Sequence, residues 1–130
     1  MSKENSVVVT SAVRTAIGDI GGTLKNVPAY KLGSTAIKSA IEKSKLKSTD
    51  VDEVIMGQVL TGGAGQNPAR QASMDSGIPK ETPSYVVNQV CGSGLRSIAS
   101  GFQSILSKNS NIVVTGGQES MSQAPHVVHL

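Results

Sequence analysis

The stretch "NQVCGSGLRSI", residues 88–98, holds the only cysteine of the 130-residue chain, where an apolar run gives way to a helical pattern. Upstream, "SYVVN" (84–88) is a β-branched run of strand length. Downstream, Leu95, Ile98, Phe102, Ile105 and Leu106 recur on one face of a helix predicted from about Cys91 to Lys108. A strand that turns through glycines into a helix is half of a βα unit, and the same unit recurs on both sides. "VIMGQVL" (54–60) is another strand, followed by a helix over 67–77 with Asn67 as N-cap, Pro68 in its first turn and Gly77 as its stop. "IVVT" (112–115) ends at Gly116 and Gly117. "SVVVT" (6–10) reads as a buried opening strand. From Pro28 to Lys45 the pattern is helical, with Leu32, Ala36, Ile37, Ala40 and Ile41 on one face. The order βαβαβαβ predicts an α/β fold with a mainly parallel sheet.

The predicted third helix differs from the first. The first shows lysines to solvent, whereas between Cys91 and Ser107 the only charged residue is Arg96. Beyond its apolar face the third helix carries Ser97, Ala99, Ser100, Gly101 and Ser104. Small residues on several faces imply close packing on more than one side, against a sheet and something else.

Composition removes several function classes. Hydrophobic residues make up 38% and charged residues 16%, the balance of a globular chain. Aromatics are 2% and tryptophan is absent, which leaves no stacking platform for single-stranded nucleic acid. The net charge of +3 is spread over lysines interleaved with Glu42, Asp50, Asp52 and Glu53, a solvated face rather than a phosphate-binding stripe. One cysteine forms no internal disulfide, which fits a reducing cytoplasm. The polar start "MSKENS" carries no signal-peptide pattern, and no apolar run has membrane-spanning length, so no membrane partner is expected.

Glycine-rich loops raise the question of phosphate. No GxxxxGK[ST] occurs, and "GSGLRS" (92–97) has Ser97 where the dinucleotide fingerprint needs Gly or Ala. "GGAGQNPARQ" (62–71) runs into a helix N-terminus and reads as turn-making. His126 and His129 form an H-x2-H pair with no neighbouring cysteine or carboxylate, so no metal site is expected.

Cys91 is the remaining candidate. At the start of a helix a thiolate meets a partial positive charge. Free N–H groups of a first helical turn can donate to an oxyanion on a carbonyl attacked by sulfur. Gly92 and Gly94 offer clearance for a thioester, and the carboxyl end of a parallel strand is where α/β sheets place their sites. A buried, inert cysteine is the alternative. Position alone leaves both open.

"VNQVCGSGLRSIASGFQSI" (87–105) resembles the acyl-enzyme cysteine signature of the thiolases. "AVRTAIGDIGGTL", "GQVLTGGAGQNPARQA" and "GGQESMSQAPH" are similar to further thiolase segments, in the same order. "CGSGL" with "GQNPARQ" is closer to the short-chain acetyl-CoA acetyltransferase branch than to the long-chain degradative thiolases. The resemblance implies that residues 1–118 form the first half of a thiolase N-terminal α/β domain, with a buried helix after the nucleophile, and that 119–130 open a loop domain. It implies Cys91 as acyl-thioester nucleophile, its own backbone N–H in an oxyanion hole, and acetyl-CoA and acetoacetyl-CoA as substrates. Coenzyme A then arrives with the substrate and no separate cofactor is needed. It further implies a homodimer or homotetramer, with Gln66 and Arg70 near a subunit contact.

The chain also departs from that family. Thiolases need an activating histidine, a second cysteine as acid/base and an asparagine-held water, all from their C-terminal half. Here there is no second cysteine, and neither His126 nor His129 lies in the family's histidine motif. The chain reads as roughly the first third of a thiolase, inactive by itself. Three rivals remain: a broader 3-ketoacyl-CoA thiolase, a related condensing enzyme such as a ketoacyl synthase, against which "NQVCGSGL" argues, and a catalytically incomplete fragment that serves binding or assembly.

Overall fold

The computed structural model describes residues 6–130; the polar residues 1–5 lie outside it. Three helices, α1 (Ala29–Lys43), α2 (Pro68–Asp75) and α3 (Ser93–Leu106), alternate with three strands, β1 (Glu53–Gly57), β2 (Ser84–Val87) and β3 (Val113–Gly117). All pairings are parallel, in the order β2-β1-β3, with Gly57 in register with both Val87 and Gly117. β1 is therefore central, and its Val54, Ile55 and Met56 are buried, as a continuous apolar run in a parallel sheet requires.

The expected opening strand is not formed. Residues 6–18 run without regular structure, and Val8 and Val9 are exposed. A β-branched run becomes a strand only with a ladder partner, and among the described residues none pairs with 6–10. The segment instead borders a cleft of roughly 590 Å³, whose other walls include Leu32, Ala36, Ala40, Ile98 and Val114.

That placement explains a second difference. The buried stripe of α1 is Ala29, Gly33, Ser34, Ile37 and Ile41, while Leu32, Ala36 and Ala40 face the cleft and are half-buried. The small residues let α1 approach α2: a β-carbon at Gly33 would lie 3.4 Å from that of Ala72. Ile37 and Ile41 join Val51, Val54, Met56, Ala69, Ala72 and Ile78 in one core. Lys31 and Asp75 tie the two helices at the surface, and this pairing raises the lysine's pKa and lowers the carboxyl's.

α3 sits on the opposite face of the sheet, with its small residues inward. Ser93, Ser97 and Gly101, four residues apart, are its buried positions. A methyl at Gly101 would stand 2.5 Å from Thr115 Cγ2. The apolar stripe points away from the sheet: Leu95 is 74% exposed, and Ile98 and Phe102 are each 48% exposed. The buried helix expected after the nucleophile is thus covered on one side only among the described residues.

At the amino end of the sheet, two carboxylates close the helix return. Asp52 Oδ2 accepts from the backbone N–H groups of Asn111 and Ile112 at 2.8 and 3.0 Å. Glu53 Oε2 accepts from the hydroxyls of Ser104 and Ser110. Tyr85 beside it has its phenol pKa raised, by burial first and then by the Glu53 charge.

Candidate active site

The chain places an amide side chain directly after each strand: Gln58 after β1, Asn88 after β2 and Gln118 after β3. Because the strands end in register, these amides form one layer across the carboxyl edge of the sheet. Gln118 Nε2 donates to Gln58 Oε1 at 2.9 Å and to the carbonyl of Pro68 at the start of α2. Gln58 Nε2 donates to the Leu60 carbonyl, and Asn88 Nδ2 to that of Val59. The Glu119 carboxylate accepts from the Val59 and Leu60 N–H groups. Gln58 and Gln118 are buried, so their bonds to each other and to backbone fix the loops without help from solvent. Sequence reasoning missed these residues; each amide comes one position past its strand, a boundary that the apolar runs at 54–60, 84–88 and 112–115 do not mark.

Cys91 stands on this edge, between β2 and α3, and its side chain is exposed. The helix begins at Ser93 with Gly92 as N-cap, so Cys91 precedes the first turn instead of lying in it. The Gly92 and Ser93 N–H groups, expected to be free, already donate to the carbonyls of Gln89 and Val90 at 3.0 and 3.1 Å. A tight turn therefore separates strand from helix, and it carries a backbone anomaly. Val90 has φ +50°, a left-handed conformation that a β-branched residue rarely adopts.

Side chains hold that turn. Asn88 Oδ1 accepts from the Val90 N–H at 2.9 Å. The Ser93 hydroxyl donates to the Val90 carbonyl at 2.6 Å and accepts from the Gln89 N–H at 2.9 Å. Below it, α3 rests on glycine. A β-carbon at Gly57 would fall 2.4 Å from the Ser93 carbonyl carbon, and one at Gly117 would fall 3.3 Å from Gly94 Cα. Gly94 thus faces β3, where a β-carbon of its own would stand 3.8 Å from Gly117 Cα, an ordinary contact; the glycines that seat the helix are Gly57 and Gly117. Gly92 adjoins the cysteine, where a β-carbon would approach the Gln89 carbonyl at 3.3 Å.

The other predicted residues lie apart from this turn. Gln66 belongs to an exposed loop that Gln71 Nε2 pins by donating to the carbonyls of Ala64 and Gln66. The Arg70 guanidinium donates to the Lys80 carbonyl. His126 and His129 are in the irregular, exposed end segment after Ala124. Cys91 lines neither the large cleft nor a smaller one beside Pro28, Gln58 and Gly63. The turn is an open surface that presents a thiol beside the amide layer.

Comparison with known proteins gives this geometry its family. The "Thiolase, N-terminal domain" family matches residues 7–130. An acetyl-CoA acetyltransferase of Chromobacterium violaceum is 53% identical over 94% of this chain, which covers 31% of that relative. Another, from Rhizobium meliloti, is 50% identical over 96% of the chain and 32% of its own length. The cytosolic acetyl-CoA acetyltransferase of Rattus norvegicus is 50% identical over 95% of the chain and 31% of its own length. The chain thus spans just under a third of each of these relatives, and with its cysteine turn on the carboxyl edge of a parallel sheet it belongs to the thiolase family, as an N-terminal part.

Proposed function

We propose that this chain supplies the acyl-carrying N-terminal part of an acetyl-CoA C-acetyltransferase, with Cys91 as the nucleophile. The observation that carries the reading is the exposed Cys91 on its strained turn after a parallel strand, in a chain half identical to acetyl-CoA acetyltransferases. The Cys91 thiolate attacks the acetyl carbonyl carbon, an S–C bond forms, and CoA leaves as its thiolate. A base then removes an α-proton from a second acetyl-CoA. The resulting carbanion attacks the acetyl-Cys91 carbonyl and expels the cysteine thiolate, giving acetoacetyl-CoA. Thiolysis is the same path reversed, and the scheme is ping-pong. The Cys91 backbone N–H is proposed to face the developing oxyanion, with Gly92 leaving room for the thioester. The base, a second cysteine and most of the CoA-binding surface belong, by family resemblance, to sequence outside these residues. Coenzyme A enters as part of the substrate, so no further cofactor is invoked.

The intact enzyme is proposed to be a homodimer or homotetramer with the Gln66–Arg70 segment near a subunit contact. The exposure of this loop, pinned by the Gln71 side chain, supports that role. A cytoplasmic location is proposed from the rodent relatives named cytosolic; among the described residues no helix is long and apolar enough to cross a membrane. The test of the assignment is acetyl-CoA supplied without acceptor to the intact enzyme. Mass spectrometry should find one acetyl group on the peptide holding residues 88–96, absent in Cys91→Ala. Turnover retained by Cys91→Ala refutes the assignment.

A further inference from the structure

We propose that Ser93 is the positioning residue of the nucleophile turn, its hydroxyl holding Val90 in the left-handed conformation that presents Cys91. The inference rests on Cys91 being the nucleophile, as assigned above. A β-branched residue at φ +50° is strained and persists only where its surroundings over-determine it. Here the surroundings are few. Ser93 Oγ lies across the turn, accepting from the Gln89 N–H before Val90 and donating to the carbonyl of Val90 itself. Asn88 Oδ1 takes the remaining Val90 N–H.

Helix capping does not account for the hydroxyl. Gly92 is the N-cap and no side chain caps α3. Ser93 is instead the first helical residue, and its hydroxyl turns back to the loop. It is 4% exposed, so water is poorly placed to replace it. Its backbone is wedged on Gly57, the last residue of the central strand. Ser93 therefore links the end of the central strand to the residue before Cys91. The result is a thiol whose location is set by the sheet, and misplacement by about 1 Å can lower a rate about 10²-fold.

A comparison serine lies one turn further on. Ser97 is fully buried and donates to the carbonyls of Gly94 and Gly116, anchoring α3 to β3 without touching the turn. The experiment compares Ser93→Ala, Ser97→Ala, Ser93→Thr and Cys91→Ala in the intact enzyme. It measures kcat, KM for acetyl-CoA, the thermal midpoint, and the rate of Cys91 alkylation by iodoacetamide from pH 6 to 9. Ser93→Ala is expected to lower kcat about 10- to 100-fold with KM changed less than about threefold, and to shift the alkylation profile. Ser97→Ala should lower the midpoint comparably while kcat and alkylation stay within about twofold of wild type. Ser93→Thr, which keeps the hydroxyl, should recover most of kcat.

A Ser93→Ala enzyme that loses no more kcat than Ser97→Ala overturns the positioning role, provided Cys91→Ala is inactive. An active Cys91→Ala enzyme overturns the nucleophile assignment itself and this inference with it. If Ser93→Ala is insoluble, the comparison moves to a Val90→Gly background, since glycine adopts positive φ without strain. There no strained residue is left for the hydroxyl to hold, so the added Ser93→Ala change should lower kcat less than about threefold; a loss of about tenfold or more overturns the proposal.

Discussion

Gly57 and Ser93 meet backbone to backbone: a β-carbon on Gly57 would lie 2.4 Å from the Ser93 carbonyl carbon and 2.6 Å from the Gly94 amide nitrogen. Neither neighbour is a flexible side-chain end, so the strand cannot accept even a methyl group without moving the helix. The contact joins the end of the central strand to the start of the helix behind Cys91. Position of the thiol and integrity of the fold thus depend on the same two residues.

Gly57→Ala should accordingly damage both. Overpacking costs about 1–3 kcal/mol in ordinary cores, and a backbone clash belongs at or above the upper end. In the intact enzyme the urea midpoint should fall, and the rate of Cys91 alkylation should change with it. Gly62→Ala provides a control, because a β-carbon there meets nothing closer than Pro125 at 3.9 Å. Equal midpoints for the two variants would show that α3 is not seated on Gly57.

Much of this arrangement was legible in the sequence. The runs at 54–60, 84–88 and 112–115 overlap β1, β2 and β3, and the helical periods overlap α1, α2 and α3. Short apolar runs bounded by glycine and proline leave little alternative in a βα chain. The run at 6–10 misled because strand propensity is local whereas a ladder needs a partner. The inward face of α3 was not legible, since hydrophobicity marks Leu95 and Phe102 while the sheet takes Ser97 and Gly101. Close approach, not apolar area, decides that face. At the site the cysteine stood out by its uniqueness. Ser93 did not, because a serine near a helix start reads as a cap until its bonds are seen.

Acid should expose the role of Asp52. Hydrogen bonds from the Asn111 and Ile112 N–H groups hold its carboxyl below the usual range. A depressed folded value means that the unfolded state binds the proton more readily. The stabilisation is therefore full above the unfolded pKa of about 3.9 and disappears as pH falls through the lower folded value. Urea midpoints of wild type and Asp52→Asn, compared from pH 7 downward, should differ by a constant amount until about pH 4.5 and converge below it. A difference that widens on acidification would contradict the assignment.

The 130-residue polypeptide by itself should neither turn over acetoacetyl-CoA nor keep its surface dry. Leu95, Ile98, Phe102 and Leu106 make one stripe along α3, each 48–74% exposed. Contiguous apolar surface of this kind binds dye or other copies of the chain. The isolated chain is thus expected to bind anilinonaphthalene sulfonate strongly and to self-associate, and Leu95→Lys with Phe102→Lys should reduce both. In the intact enzyme, where family resemblance places a second sheet over this helix, the same pair should destabilise instead. Catalysis fails for a separate reason. Each general acid or base contributes about 10²–10⁴-fold, and holding the substrate in register is worth up to about 7–11 kcal/mol. By family resemblance the histidine, the second cysteine and most of the loop domain lie outside this chain. Thiolysis followed by loss of acetoacetyl-CoA absorbance tests the point. Turnover within about tenfold of the intact enzyme would mean that those groups do not hold the roles given them, and His126 or His129 would then have to serve as the base.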